Sequence, residues 1–154
     1  MLMPDLIIDS PIGQLGFYIE QNKITQIEFD VDTDMSTHEP QALFTQIKAQ
    51  LDQYFLGQLT KFNLAFQAQG TDFQKKVWAY LLTIPYGTTK NYGEVAMALN
   101  SSARAVGNAC RKNPLPLLIP CHRVVAKKGI GGFSGATAGH QIDRKLYLLN
   151  LECL

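Results

Sequence analysis

Three observations predict an α+β fold in two segments. Short β-branched and aromatic runs crowd the first part of the chain, helical spacing of apolar residues takes over in the second, and a polar stretch at residues 67–70, Gln-Ala-Gln-Gly, lies between them. This places an N-terminal domain at 1–68 and a C-terminal domain at 69–154. At 154 residues and 46% hydrophobic composition, the chain can bury one ordinary core or two small ones.

Residues 6–8, 14–19 and 23–29 alternate in the manner of half-buried strands and are separated by Pro11-Ile12-Gly13 and Gln21-Asn22, which predicts an antiparallel meander. Pro40 then opens a helical pattern with Leu43, Phe44, Ile47, Leu51, Tyr54 and Phe55 on one stripe, stopped at Gly57. A further strand is expected at residues 61–66.

In the second segment Thr71-Asp72-Phe73-Gln74 fits a capping box, and Phe73, Val77, Tyr80, Leu81 and Ile84 continue at helical spacing until Pro85. Asn91 with Glu94 caps a short helix that turns Val95, Ala96 and Leu99 inward. Asn100-Ser101 breaks it and caps a second helix, from residue 102 to about 112. There Ala103, Val106, Gly107 and Cys110 share an inward face, while Arg104, Asn108 and Arg111 share an outward, basic one. Such a helix pair suits helix-turn-helix DNA binding, although charged helix pairs also occur as solvated surface. Asn113-Pro114 ends the helix and residues 117–119 are apolar enough to be buried. Residues 123–126 are expected as a strand that turns at Lys127-Lys128-Gly129, residues 131–135 as a mobile pocket-lining loop, and residues 140–152 as a last helix with Ile142, Leu146 and Leu149 toward the core.

The formal net charge of +1 conceals a division. Residues 1–66 carry nine acids against three lysines, a net −6, whereas residues 86–128 carry seven bases against Glu94, a net +6. The first repels polyanions and the second attracts a phosphate backbone. Cysteines at 110, 121 and 153 form no disulfide framework, and with histidines at 38, 122 and 140 they lack zinc-finger spacing. No metal and no cofactor is expected. With neither a secretory pattern nor a membrane-length apolar run, a cytoplasmic protein without membrane contact is expected.

The chemistry concentrates in Ile119-Pro120-Cys121-His122-Arg123-Val124-Val125. A structural cysteine needs no ionisable neighbours, whereas a working thiol needs partners that favour the thiolate, and His122 and Arg123 follow directly. The competing interpretation is a core cysteine at the end of an apolar run. Adjacent side chains on an extended segment point to opposite sides, so His122 is expected to act through a water unless the backbone turns. Its other ring nitrogen then needs an acceptor. Glu152 is the candidate, the alternative being a solvated residue near the terminus.

Through Pro120-Cys121-His122-Arg123-Val124-Val125, Ala103-Arg104-Ala105-Val106-Gly107 and Asn113-Pro114, the chain resembles the O6-alkylguanine-DNA alkyltransferases, strongly over residues 73–152 and only in element order before that. The resemblance implies a ribonuclease-H-like N-terminal α/β domain and a C-terminal winged helix-turn-helix domain. It implies a monomer that binds double-stranded DNA containing O6-alkylguanine, flips the damaged nucleotide out and moves the alkyl group irreversibly to its own cysteine, once per molecule. It assigns Cys121 as acceptor, His122 as water-linked base and Glu152 as the carboxylate that orients His122. Tyr92 becomes the residue that helps extrude the base and protonates the leaving guanine, and Asn113 orders the turn. Arg104 becomes the finger that fills the vacated stack, on a helix in the minor groove with Ala103, Asn108 and Arg111 also at the DNA. The substrate pocket is expected from Cys110, Val124, Phe133 and Ser134. Phe133 replaces a tyrosine of some relatives, which leaves Ser134 as the hydroxyl there. Cys110 is expected to pack rather than accept. The alternative within the same fold is a non-enzymatic alkylguanine-binding damage sensor, against which the cysteine itself speaks. A cysteine hydrolase needs an oxyanion hole, and a sequence-specific winged-helix regulator needs no thiol.

Overall fold

Strands β1 (Leu6–Ser10), β2 (Gly13–Glu20) and β3 (Lys23–Phe29) pair antiparallel in that order in the computed structural model, which describes residues 3–31, 41–133 and 139–153. The expected meander is present, each of the first two strands running a residue or two beyond the apolar core of its pattern. Gln21 and Asn22 both take positive φ, the geometry of a two-residue hairpin turn whose twist matches its strands. Leu15, Phe17, Ile24 and Ile27 are buried. Helix α1 (Ala42–Phe55) packs against β1 and buries Leu43, Phe44, Ile47, Leu51 and Tyr54. Each such side chain contributes about 1.5–3 kcal/mol by leaving water. Gln41 is its N-cap residue, and the proposed opening residue Pro40 lies outside the described residues. Gly57, at φ +75, lets the chain turn left-handed where the helix stops.

The strand expected at 61–66 does not form. Only Phe66 makes an isolated parallel bridge, to Ile24, while the side chain of Gln50 takes both backbone groups of Asn63, at 2.8 and 3.0 Å. An amide side chain on α1 thus satisfies the backbone that a ladder would have used.

The described structure divides into two compact units, Met1–Ala68 and Gln69–Leu154. In the second, α2 (Asp72–Leu81) starts at a complete Thr71–Gln74 capping box. It ends earlier than the spacing suggested, and it buries Trp78, whose indole N–H donates to the Ala109 carbonyl at 2.8 Å, while Tyr80 stays half-exposed. Strand β4 (Lys90–Asn91) runs directly into α3 (Tyr92–Ala98), which the Asn91–Glu94 capping box opens. Val95 and Ala96 are buried and Leu99 only partly. Asn100, at φ +54, turns the chain into α4 (Ala103–Arg111), capped by the Ser102 hydroxyl. Helix α4 packs on both α2 and α3. Its inward face is Val106, Ala109 and Cys110, so the expected inward place of Ala103 is corrected: it is exposed in the first turn, and Gly107 is half-buried. After it come a 3₁₀ turn (Cys121–Arg123), β5 (Val124–Val125), paired parallel with β4, and α5 (His140–Glu152). The strand expected at 123–126 is shorter, because Arg123 belongs to the turn.

Helix α5 departs most from its periodicity. It buries Arg144, Lys145, Leu148 and Glu152, while Leu146 is exposed and Ile142 and Leu149 are only partly covered. Polar side chains occupy the inward stripe because each of Lys145 and Glu152 finds partners there, described below, and a satisfied polar group is stable where an unsatisfied one is not.

Candidate active site

The parallel pairing of Lys90 with Val124 and Asn91 with Val125 joins two short segments. One delivers Tyr92 as the first residue of α3, and the other leaves the turn that carries Cys121. Asn113 builds the approach to that turn: its Oδ1 accepts from the Leu115 N–H and its Nδ2 donates to the Ile119 carbonyl, both at 2.9 Å. Cys121 N–H then bonds the Ile119 carbonyl at 2.8 Å and Arg123 N–H the Pro120 carbonyl at 3.0 Å. The expectation of an extended Cys121-His122 step is therefore corrected. Pro120 fixes its own φ and the backbone turns immediately after it, burying all three side chains of Cys121, His122 and Arg123.

Glu152 is the hub. One carboxylate oxygen lies 2.7 Å from His122 Nε2 and 3.1 Å from Arg123 Nη2, and the other accepts from Arg123 Nε at 2.8 Å. Arg123 Nη1 donates to the Ile84 carbonyl at 2.8 Å, and its guanidinium lies 5.8 Å from the centre of the Tyr86 ring, whose hydroxyl donates to the Leu151 carbonyl at 3.3 Å. Both Glu152 and His122 are buried, so this carboxylate is not a solvated terminal residue. Burial lowers the pKa of His122 against the pull of Glu152, which keeps the imidazole neutral. With Nε2–H donating to Glu152, Nδ1 carries the free lone pair, and no protein group among the described residues bonds it. The tautomer required of a general base at Nδ1 is thus set from the far side of the ring.

Cys121 itself is 6% exposed. The expectation that Arg123 favours the thiolate is corrected. Burial raises the thiol pKa above everything that opposes it, and the opposing influences are a hydrogen bond from Asn113 and the charge of Lys145, because the Arg123 guanidinium is committed to Glu152. Cys110, on the inward face of α4, is pushed up to about 12 by burial and by the nearby Cys121, which suits packing rather than nucleophilic attack. Tyr92 is also raised to about 12, first by burial, then by Cys110 and Cys121, and therefore keeps a proton to give. Gly131, at φ +78, lets the loop close on it. A Cβ there would lie 3.0 Å from Tyr92 Cε2 and 3.1 Å from its hydroxyl.

Lys145 was not anticipated from the sequence. It is 0% exposed, with Nζ donating to the Val124 carbonyl at 2.6 Å and the Gly132 carbonyl at 2.8 Å and lying 5.9 Å from the Tyr92 ring centre. Its seven-residue offset from Glu152 puts both on one stripe of α5, the one signal that marks it. Nothing in the sequence singled out the clasp of Arg123 on Glu152.

Of the remaining expected residues, Arg104, Asn108, Arg111 and Ala103 are exposed together on α4. Val124 is wholly buried, so it offers a carbonyl to Lys145 rather than an open wall, and Phe133 is buried as well. Ser134 lies outside the described residues. Among the described residues no group of three or more His, Cys, Asp or Glu side chains is arranged to hold a metal ion, and no helix is long and apolar enough to cross a membrane.

Two family models match the chain. Residues 6–68 match the ribonuclease-like domain of 6-O-methylguanine DNA methyltransferase, and residues 72–154 match its DNA binding domain. The chain is 40% identical to the methylated-DNA–protein-cysteine methyltransferase of Mycobacterium leprae, covering 94% of this chain and 89% of that protein. It is 34% identical to the constitutive one of Bacillus subtilis, covering 94% and 92%. The crystal structure of the Mycobacterium tuberculosis protein in complex with DNA superposes with a TM-score of 0.80 at 40% identity, covering 96% of this chain and 91% of that one.

Proposed function

The chain belongs to the 6-O-methylguanine DNA methyltransferase family, and from that premise we propose that its residues 1–68 form the ribonuclease-like domain and residues 69–154 the domain that binds alkylated DNA and accepts the alkyl group at Cys121. The protein repairs DNA by alkyl transfer to a cysteine, as a methylated-DNA–protein-cysteine methyltransferase. The observation that carries the assignment of Cys121 is the buried Arg123–Glu152–His122 chain, which leaves Nδ1 of a neutral imidazole as a base next in sequence to the thiol.

The damaged base lies within a stack, so it must be everted, at a cost of about a few kcal/mol. Arg104, planar and cationic on an exposed helix face, fills the gap, while Arg111, Asn108 and the backbone at Ala103 hold the strands. Beside Tyr92, Cys110 and Phe133, with the Val124 carbonyl engaged by Lys145, the thiol proton passes through a water to His122 Nδ1. Sulfur bonds to the alkyl carbon as the bond between that carbon and O6 breaks, and its electron pair stays with guanine. Tyr92 gives guanine a proton and recovers one from solvent, as His122 returns its own. Asn113 holds the turn and bonds the thiol. The thioether is not opened by water, so each molecule acts once. We place the protein in the cytoplasm as a monomer, in keeping with its free Cys110, Cys121 and Cys153.

Incubation with a duplex containing O6-methylguanine, followed by peptide mass analysis, tests this. One methyl group per protein on the Cys121 peptide, and none in Cys121→Ala, is expected. Sustained turnover, or methylation at Cys110 instead, would overturn it.

A further inference from the structure

Glu152 is the last residue of α5, a place where helices fray, because the carbonyls of the final turn have no partner inside the helix. Its carboxylate nevertheless sets the His122 tautomer, and a misplacement of about 1 Å at a catalytic group can cost on the order of a hundredfold in rate. The segment after α2 meets this helix end. Residues 85–88 form a tight turn: the Thr88 N–H donates to the Pro85 carbonyl at 3.1 Å, and Gly87, at φ +78, takes the left-handed conformation that a type II turn requires of its third residue. Just before the turn, the Ile84 carbonyl accepts from Arg123 Nη1 at 2.8 Å. Within it, the Tyr86 ring lies under the Arg123 guanidinium, 5.8 Å from ring centre to guanidinium carbon, and the Tyr86 hydroxyl donates to the Leu151 carbonyl at 3.3 Å. A Cβ on Gly87 would lie 3.2 Å from the Glu152 carbonyl, so the glycine lets the turn sit close against the end of α5.

We propose that Tyr86 is a positioning residue for the His122 base: its ring supports the Arg123 guanidinium and its hydroxyl ties down the last turn of α5, so that the Glu152 carboxylate stays where it sets the imidazole tautomer. The role rests on Cys121 being the alkyl acceptor and His122 its base.

The ring carries more of this task than the hydroxyl. A guanidinium presents its N–H groups in one plane, and Arg123 spends Nε and Nη2 on Glu152 and Nη1 on Ile84. The faces of that plane donate nothing, and an aromatic ring is the neighbour that attracts a cation through its face. The hydroxyl bond, at 3.3 Å, is long for O–H···O. Burial first, and the Glu152 charge next, raise the Tyr86 pKa, so the hydroxyl keeps the proton it donates.

Tyr86→Phe keeps the ring and Tyr86→Leu removes it. Both are compared with native protein in single-turnover transfer from an O6-methylguanine duplex and in ring-nitrogen NMR of His122, whose signals are assigned by their loss in His122→Gln. Native protein and Tyr86→Phe should show a neutral imidazole protonated at Nε2 and should transfer at similar rates. Tyr86→Leu should move both ring-nitrogen shifts toward those of a free imidazole and transfer about three- to thirtyfold more slowly, the range that such a cation–ring contact spans. With Glu152→Gln already present, Tyr86→Leu should cost little further in rate, because its effect passes through that carboxylate. A folded Tyr86→Leu with native ring-nitrogen shifts or native transfer, a rate loss that adds in full to that of Glu152→Gln, or a Tyr86→Phe as slow as Tyr86→Leu would overturn the proposal. If Tyr86→Leu does not fold, a trifluorinated phenylalanine at position 86, which keeps the shape of the ring and strips its face of negative charge, decides by the same two measurements. If native protein transfers no methyl group, the alkyl-transfer reading has failed, and the ring-nitrogen shifts still decide the role of Tyr86.

Discussion

Replacing Glu152 by Gln changes one atom's identity at the centre of the site and nearly nothing of its volume, which makes its consequences separable. At present two oxygens accept three donors, His122 Nε2 at 2.7 Å and Arg123 Nε and Nη2 at 2.8 and 3.1 Å. An amide offers one acceptor and one donor group. If its oxygen stays with Arg123, its NH₂ faces His122 Nε2, and two donors cannot share that position. The imidazole must then move its proton to Nδ1, and the lone pair that takes the thiol proton disappears. General-base catalysis is worth about a hundred- to ten-thousand-fold, so a loss of that order in the single-turnover rate is expected. The second effect is on stability. Arg123 keeps the Ile84 carbonyl and the Tyr86 ring but loses its counter-charge, and a buried pair broken from one side costs up to about 3–5 kcal/mol. Quenched transfer of a labelled methyl group gives the rate, and urea denaturation gives the stability. Because the rate loss acts through His122, Glu152→Gln should cost little more once His122→Ala is already present. A folded Glu152→Gln protein that transfers within a few fold of native, or rate losses that add in the double variant, would refute the tautomer argument.

Arg104→Ala should slow transfer from duplexes while sparing a free alkylated base, because only the duplex leaves a gap to fill. Equal losses on both would remove the finger role. Gly131→Ala should cost about 1–3 kcal/mol in backbone strain and also slow transfer by displacing Tyr92, whereas Gly129→Ala, at φ +124 with no atom within 4 Å of its added Cβ, should show the strain alone. Similar transfer rates in the two variants would show that the Tyr92 contact is idle. His122 supplies a pH signature: its folded pKa is lowered while the unfolded chain titrates near 6.5, so the unfolded state binds the extra proton. The stability gained from the neutral imidazole is full above pH about 6.5 and is lost as pH falls below it, so His122→Gln should show a shallower acid decline in denaturation midpoint than native protein. Parallel slopes would contradict a neutral buried imidazole.

Local chemistry was legible in the chain wherever it is self-contained. The meander, both capping boxes, the stop at Gly57 and the basic face of α4 each depend on residues a few positions apart, and each is present. The tetrad at 120–123 stood out in the same way, because a thiol followed by His and Arg departs from what a core cysteine needs. Reasoning from periodicity failed where a buried surface is polar. On α5 the apolar count pointed to Ile142, Leu146 and Leu149, but Lys145, Leu148 and Glu152 face inward. A polar side chain is stable inside only when partners meet it, and those partners are Val124 and Gly132 for Lys145, and His122 and Arg123 for Glu152.

The residue types at positions 121, 122 and 152 by themselves carried the proposed reaction, since a thiol, an imidazole and a carboxylate keep their chemical character wherever they lie. Folding alone decided which proton each of them holds. Distances of about 3 Å between groups some thirty positions apart determine the imidazole tautomer and engage the arginine that sequence had offered to sulfur, and the charge of an unforeseen lysine acts on the thiol in its place. Charge and hydrogen bonding act through space over a few ångströms, and no local pattern encodes a neighbour that the chain reaches only by closing on itself.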